Sequence, residues 1–104
     1  MDVTVSLVTC GSRDEGERIA RTLVEDKLAA CVNVVPGVTS FYFWDGKLNR
    51  DEEVLLVIKS VDRRSEDLAR RVREIHSYSV PEVVTLEVAG GSGAYLDWVR
   101  GEVP

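Results

Sequence analysis

Hydrophobic and polar positions alternate with period two from the start of the chain. Val3, Val5 and Leu7 fall on one side, Thr4, Ser6 and Val8 on the other, which predicts a β-strand with one strongly apolar face. The spacing then changes. "SRDE" has the form of a capping box, with Ser12 at the N-cap and Glu15 three residues on. Ile19, Leu23 and Val24 follow at helical intervals, so a helix is predicted from about Arg13 to about Lys27. "CVNVVPGVTSFYFW" is rich in β-branched and aromatic residues, and its Pro36-Gly37 implies a bulge or an edge strand. Asp45-Gly46 between two such runs signals a tight hairpin, since both turn positions need positive φ. The return strand runs through "EEVLLVIKS". Asp62 is placed to cap a second helix carrying Leu68, Val72 and Ile75, which ends near His76 because Pro81 disfavours its continuation. "EVVTLEV" predicts a fourth strand, and Ser92 opens a short helix with Tyr95, Leu96 and Val99.

The resulting order, β-α-β-β-α-β plus a C-terminal helix, predicts an α+β fold of the ferredoxin-like, split βαβ kind, as one domain over residues 1–104. Both main helices then lie on one face of an antiparallel sheet. The other face should show polar residues at alternate positions. The first strand does so in part; "VLLVI" at 54–58 and "FYFW" at 41–44 do not. Each hairpin arm is roughly 14 residues, about 45 Å long, against a radius of gyration of about 13 Å for a domain this size. An overrunning apolar hairpin calls for a partner, and a closed homo-oligomer is the expected outcome. A hairpin bent back on its own core at Pro36-Gly37 is the alternative.

Composition narrows the function classes. The 104 residues are 44% hydrophobic and 30% charged, within the range of globular domains. Thirteen basic against eighteen acidic residues give a net charge of −5, which argues against nucleic acid as a partner. The basic run "RRSEDLARRVR" is diluted by acids and reads as a solvated helix face. No apolar run approaches the ~20 residues of a membrane helix. "MDVTVSLVTC" alternates like a strand rather than forming a signal peptide, so no membrane association and a cytoplasmic location are expected.

Several separated segments, "KLAACVNVVPGVTSFYFWDGKLNRDEEVLLVIKS", "HSYSVPE" and "YLDWV", together resemble the CutA family of divalent-cation tolerance proteins. The resemblance spans residues 3 to 100. It implies a homotrimer formed by hairpin exchange, similar in architecture to the PII signalling trimers. It also implies a role in tolerance of copper or another divalent cation, as a binding or signalling protein without enzyme activity. Where the family usually reads "HPYEVPE", His76, Tyr78, Pro81 and Glu82 match, while Ser77 and Ser79 depart and remove one carboxylate.

Within that frame, His76 is a candidate metal ligand with Glu82. Cys10 could add a soft donor, because the first strand of a split βαβ sheet ends where the fourth begins. A histidine ending a helix near free carbonyls is the plainer account of His76. Cys31, in "AAC", reads as a small buried hydrophobe, at the opposite edge from Cys10 and not disulfide-bonded to it. Trp44, Tyr42 and Tyr78 could line an intersubunit cleft to which Lys59 and Glu53 offer charge. "GGSG" at 90–93 reads as a strand-to-helix turn rather than a phosphate cradle. No catalytic residue and no nucleotide or hydrolase motif stands out. Two rival readings stay open: an interface-cleft enzyme using His76 and Glu82 as acid and base, and a purely structural trimer.

Overall fold

The computed structural model describes residues 2–104. Its elements run β1 (Val3–Cys10), α1 (Arg13–Glu25), β2 (Cys31–Trp44), β3 (Lys47–Val61), α2 (Ser65–Ile75), β4 (Val84–Glu87) and α3 (Gly93–Glu102). The four strands pair antiparallel in the order β2-β3-β1-β4, the ferredoxin-like arrangement expected from the element order.

Local chemistry sets most of the boundaries. Ser12 caps α1, its hydroxyl accepting from the Glu15 N–H at 3.2 Å. Asp45 and Gly46 both take positive φ at the β2–β3 turn. The register of β2 on β3 shifts between Val35 and Val38, and Gly37 sits there at φ +79°, so Pro36-Gly37 is a bulge on an edge strand. Asp62 behaves differently from expectation. It opens a 3-10 turn, Asp62–Arg64, without a capping side-chain bond, and Ser65 Oγ donates to its carbonyl instead.

The main core lies between the sheet and the α1/α2 layer, where Val8, Ile19, Leu23, Leu56, Ile58, Leu68 and Val72 are buried. Gly16 belongs to this packing: a Cβ there would stand 3.3 Å from Val54 Cγ1 and 3.4 Å from Leu56 Cδ2. A second cluster, Val3, Ala30, Val61, Val99 and Val103, seats α3 on one end of the opposite face.

The two faces of β1 are used in the reverse of the expected sense. Thr4 and Ser6 are buried on the α1/α2 side with Val8 and Cys10, while Val5 and Leu7 are only half-buried. The polar pair survives burial because the neighbouring strands answer it. Ser6 Oγ shares a 2.9 Å hydrogen bond with Thr85 Oγ1, and Ser60, opposite Thr4, donates to the Leu28 carbonyl at 2.6 Å. Val5 and Leu7 instead join Leu55, Val57, Val84 and Leu86 on an outer face that α3 covers only at one end.

The hairpin does not bend back. β1 pairs with β3 only from Val54 to Val61, so the segment from Val38 to Glu53 is a two-stranded ribbon projecting beyond the sheet. The molecule extends 44 × 25 × 22 Å, with Phe41, Phe43, Trp44 and Leu48 exposed along the ribbon.

Candidate functional site

The loop after α2 is fastened to the end of β1 by His76. Its backbone N–H closes the helix on the Val72 carbonyl at 2.9 Å. Its ring is buried against β1, with Nε2 2.7 Å from the Thr9 carbonyl and Nδ1 accepting from the Tyr78 N–H at 3.0 Å. A carbonyl can only accept and an N–H can only donate, so the ring carries its proton on Nε2. Arg18 Nη1 donates to the Ile75 carbonyl at 3.1 Å and satisfies the helix end as well.

Glu15 holds the other side of the loop. Its carboxylate accepts from the Ser77 N–H at 2.7 Å and from Ser77 Oγ at 3.0 Å, and lies 3.7 Å from His76 Nδ1. Burial works to raise its pKa, but the two Ser77 bonds, with smaller help from His76 and the Gly11 backbone, hold the carboxyl below its ordinary range. The carboxylate expected to complete a local capping box therefore bridges two distant parts of the chain.

With His76 fixed, Tyr78 projects over the start of β3. Its hydroxyl donates to Glu53 Oε2 at 2.7 Å, and its ring leans on His76 at a centroid distance of 4.7 Å. Burial first, then the Glu53 carboxylate, push the Tyr78 phenol well above its usual range, so it acts as a donor. The residue Glu53 is only 8% exposed, and among the described residues it has no salt-bridge partner. Together Tyr78, Glu53, Glu82, Thr9 and the hairpin side chains Tyr42 and Trp44 line a cleft of about 600 Å³. Tyr42 also donates to Asp51.

The three expected metal ligands differ in character. Cys10 is fully buried, and burial, followed by the charges of Glu15 and Glu53, pushes its thiol up to about 11. A protonated, buried thiol is a poor ligand and a poor nucleophile. His76 has both ring nitrogens engaged. Glu82 alone faces the cleft, where Thr9 Oγ1 donates to Oε1 at 3.5 Å. Among the described residues no group of three His, Cys, Asp or Glu stands close enough to hold a metal ion. The donor set of one chain thus does not fit a resident metal.

Other expectations fare variously. Glu53, Tyr42, Trp44 and Tyr78 do converge on one cleft. Lys59 does not join them; its ammonium donates to Asn33 across the hairpin. Cys31 is half-buried rather than buried, and both cysteines are free. Gly93 begins α3 directly after Ser92, as a strand-to-helix turn requires. Glu15 and Thr9 were not legible as members of the site, because their partners lie 62 and 73 residues away.

Comparison with known proteins places this geometry. Residues 4–102 match the family described as CutA1 divalent ion tolerance protein. A divalent-cation tolerance protein CutA from Thermus thermophilus is 47% identical over 96 residues, covering 92% of this chain and 93% of that protein. The human protein CutA is 45% identical over 98 residues, and this chain spans 55% of its length. The crystal structure of CutA from Xylella fastidiosa superposes with a TM-score of 0.97 over the whole of both chains at 35% identity.

Proposed function

We propose, for a chain that belongs to the CutA1 divalent ion tolerance protein family, a role in divalent-cation tolerance as a homotrimeric binding or signalling protein whose ligand enters the Glu53–Glu82 cleft. The carrying observation is the cleft itself. The loop from His76 to Glu82 and the projecting hairpin, two of the three segments that gave the family resemblance, meet there around a buried carboxylate. Assembly is supported by the half-bare apolar outer face of the sheet and by the exposed aromatic ribbon. No described helix is long and apolar enough to cross a membrane. The cytoplasmic location expected from the sequence is part of this proposal.

Copper is the metal the resemblance implies. In one chain only Glu82 of the three candidate ligands offers a free donor to the cleft; His76 would ligate only on leaving Thr9 or Tyr78, and Cys10 is buried with its thiol pushed up to about 11. Calorimetric titration of the purified oligomer with copper(II), beside His76→Ala, Cys10→Ala and Glu82→Gln, tests the point. Tight stoichiometric binding lost in Glu82→Gln and in either other variant makes copper a direct ligand. Weak, non-stoichiometric binding unchanged in all three removes direct copper binding from the proposal.

A further inference from the structure

The cleft's chemistry identifies a ligand class. Its lining contains two carboxylates, hydroxyls and aromatic rings, and no lysine, arginine or histidine. An anionic ligand would find no positive partner among the lining residues of one chain. A bare or hydrated divalent ion needs several convergent donors in a fixed geometry, which the described residues do not supply. Trp44 and Tyr42 contribute little to a hydrated metal, but aromatic faces attract organic cations, and Trp does so best.

Glu53 adds the electrostatic demand. It is more than nine-tenths buried, accepts one hydrogen bond from Tyr78 and has no cation opposite it among the described residues. A buried carboxylate without a positive partner is costly, and a cation entering the cleft offsets that cost. Its position is also rigid. Tyr78 fixes one oxygen, and Tyr78 is itself fixed by His76, which is fixed by Thr9. The volume of about 600 Å³ falls within the range of about 300–1,000 Å³ common for small-molecule sites.

We infer that the cleft binds a small organic cation, a primary or methylated ammonium group on an apolar body, with the ammonium at Glu53 and the body against Trp44 and Tyr42. This rests on the reading of the cleft as the ligand site and names what it takes. The divalent-cation response would then be linked to a nitrogenous organic ligand rather than to a metal held in the cleft.

The test is calorimetric titration of the intact oligomer with benzylamine, benzyl alcohol and copper(II) chloride in turn. It is repeated in Glu53→Gln, which keeps an acceptor for Tyr78 but removes the charge, and in Trp44→Ala, with mass checked by light scattering. Benzylamine binds saturably at one site per chain; Glu53→Gln weakens it by roughly tenfold or more, and Trp44→Ala weakens it by a few-fold. Benzyl alcohol, the neutral counterpart, gives no saturable heat. Equal binding of the alcohol, or indifference to Glu53→Gln, overturns the ammonium assignment. Saturable copper binding lost in Glu53→Gln, without amine binding, overturns the ligand class but keeps the cleft. Silence with all three probes overturns the cleft as a ligand site.

Discussion

At the residue scale, the site depends on a few side chains that act on each other rather than on solvent. Glu15 is the clearest. Its depressed pKa means that the folded state favours the ionised form, so it adds stability that is complete above its ordinary value of 4.5. That stability is lost as pH falls through the lower folded-state value. Replacing it by alanine leaves the Ser77 N–H and hydroxyl without their acceptor. We expect a loss of about 1–3 kcal/mol at neutral pH, smaller in acid, measurable as a smaller difference between the wild-type and variant denaturant midpoints at pH 3 than at pH 7. A difference independent of pH would mean that Glu15 acts through packing alone. Cys10 gives a second check. With its thiol buried and pushed up to about 11, it should resist iodoacetamide at pH 8 in the native protein and react promptly once unfolded, as peptide mass spectrometry would record. Rapid native labelling would contradict the buried placement. Neither behaviour could be read from the sequence. "SRDE" looks local, and nothing in it signals Ser77; Cys10 was recognised as a neighbour of His76 only through strand topology.

At the element scale, agreement between sequence and structure follows from interactions of short range. Asp45-Gly46, Pro36-Gly37 and the Ser12 cap each specify backbone geometry within a few residues, and each forms as its chemistry requires. Gly16 was silent for the opposite reason. In sequence it is only a weak point in a helix, whereas its value lies in the close approach of α1 to β3. Gly16→Val should overpack that contact and cost about 1–3 kcal/mol, seen as a lower midpoint in urea with an unchanged slope. A neutral or stabilising result would show that Val54 and Leu56 can give way. The faces of β1 mark the limit of pattern reading. Alternation shows that two faces differ, but which face meets α1 and α2 depends on pairing. Ser6 opposite Thr85, and Ser60 with the Leu28 carbonyl, make a polar stripe acceptable beneath the helices.

At the scale of the whole molecule, the outer sheet face and the hairpin ribbon argue for self-association. Phe43 is 74% exposed and Leu48 64% exposed, opposite each other across the ribbon. In the proposed trimer, Phe43→Asp with Leu48→Asp should lower the mass measured by light scattering from three chains to one, because two desolvated carboxylates in an apolar contact are strongly unfavourable. A trimer unaffected by the pair would place the interface elsewhere. The same variant separates assembly from the cleft, since neither residue lines it.

The amino-acid sequence by itself determined the element order, the hairpin and its bulge and the capped first helix. Those follow from periodicity and from backbone preferences, which act over a few residues at a time. Only the tertiary structure decided that His76 is tied to Thr9 and Tyr78, that Glu15 holds Ser77, and that Glu53 is buried behind Tyr78 in an acidic, aromatic cleft. Hydrogen bonds and desolvation of charge depend on distance in space. β1 brings Thr9 beside a loop nearly seventy residues away, and no local pattern in either segment records that meeting.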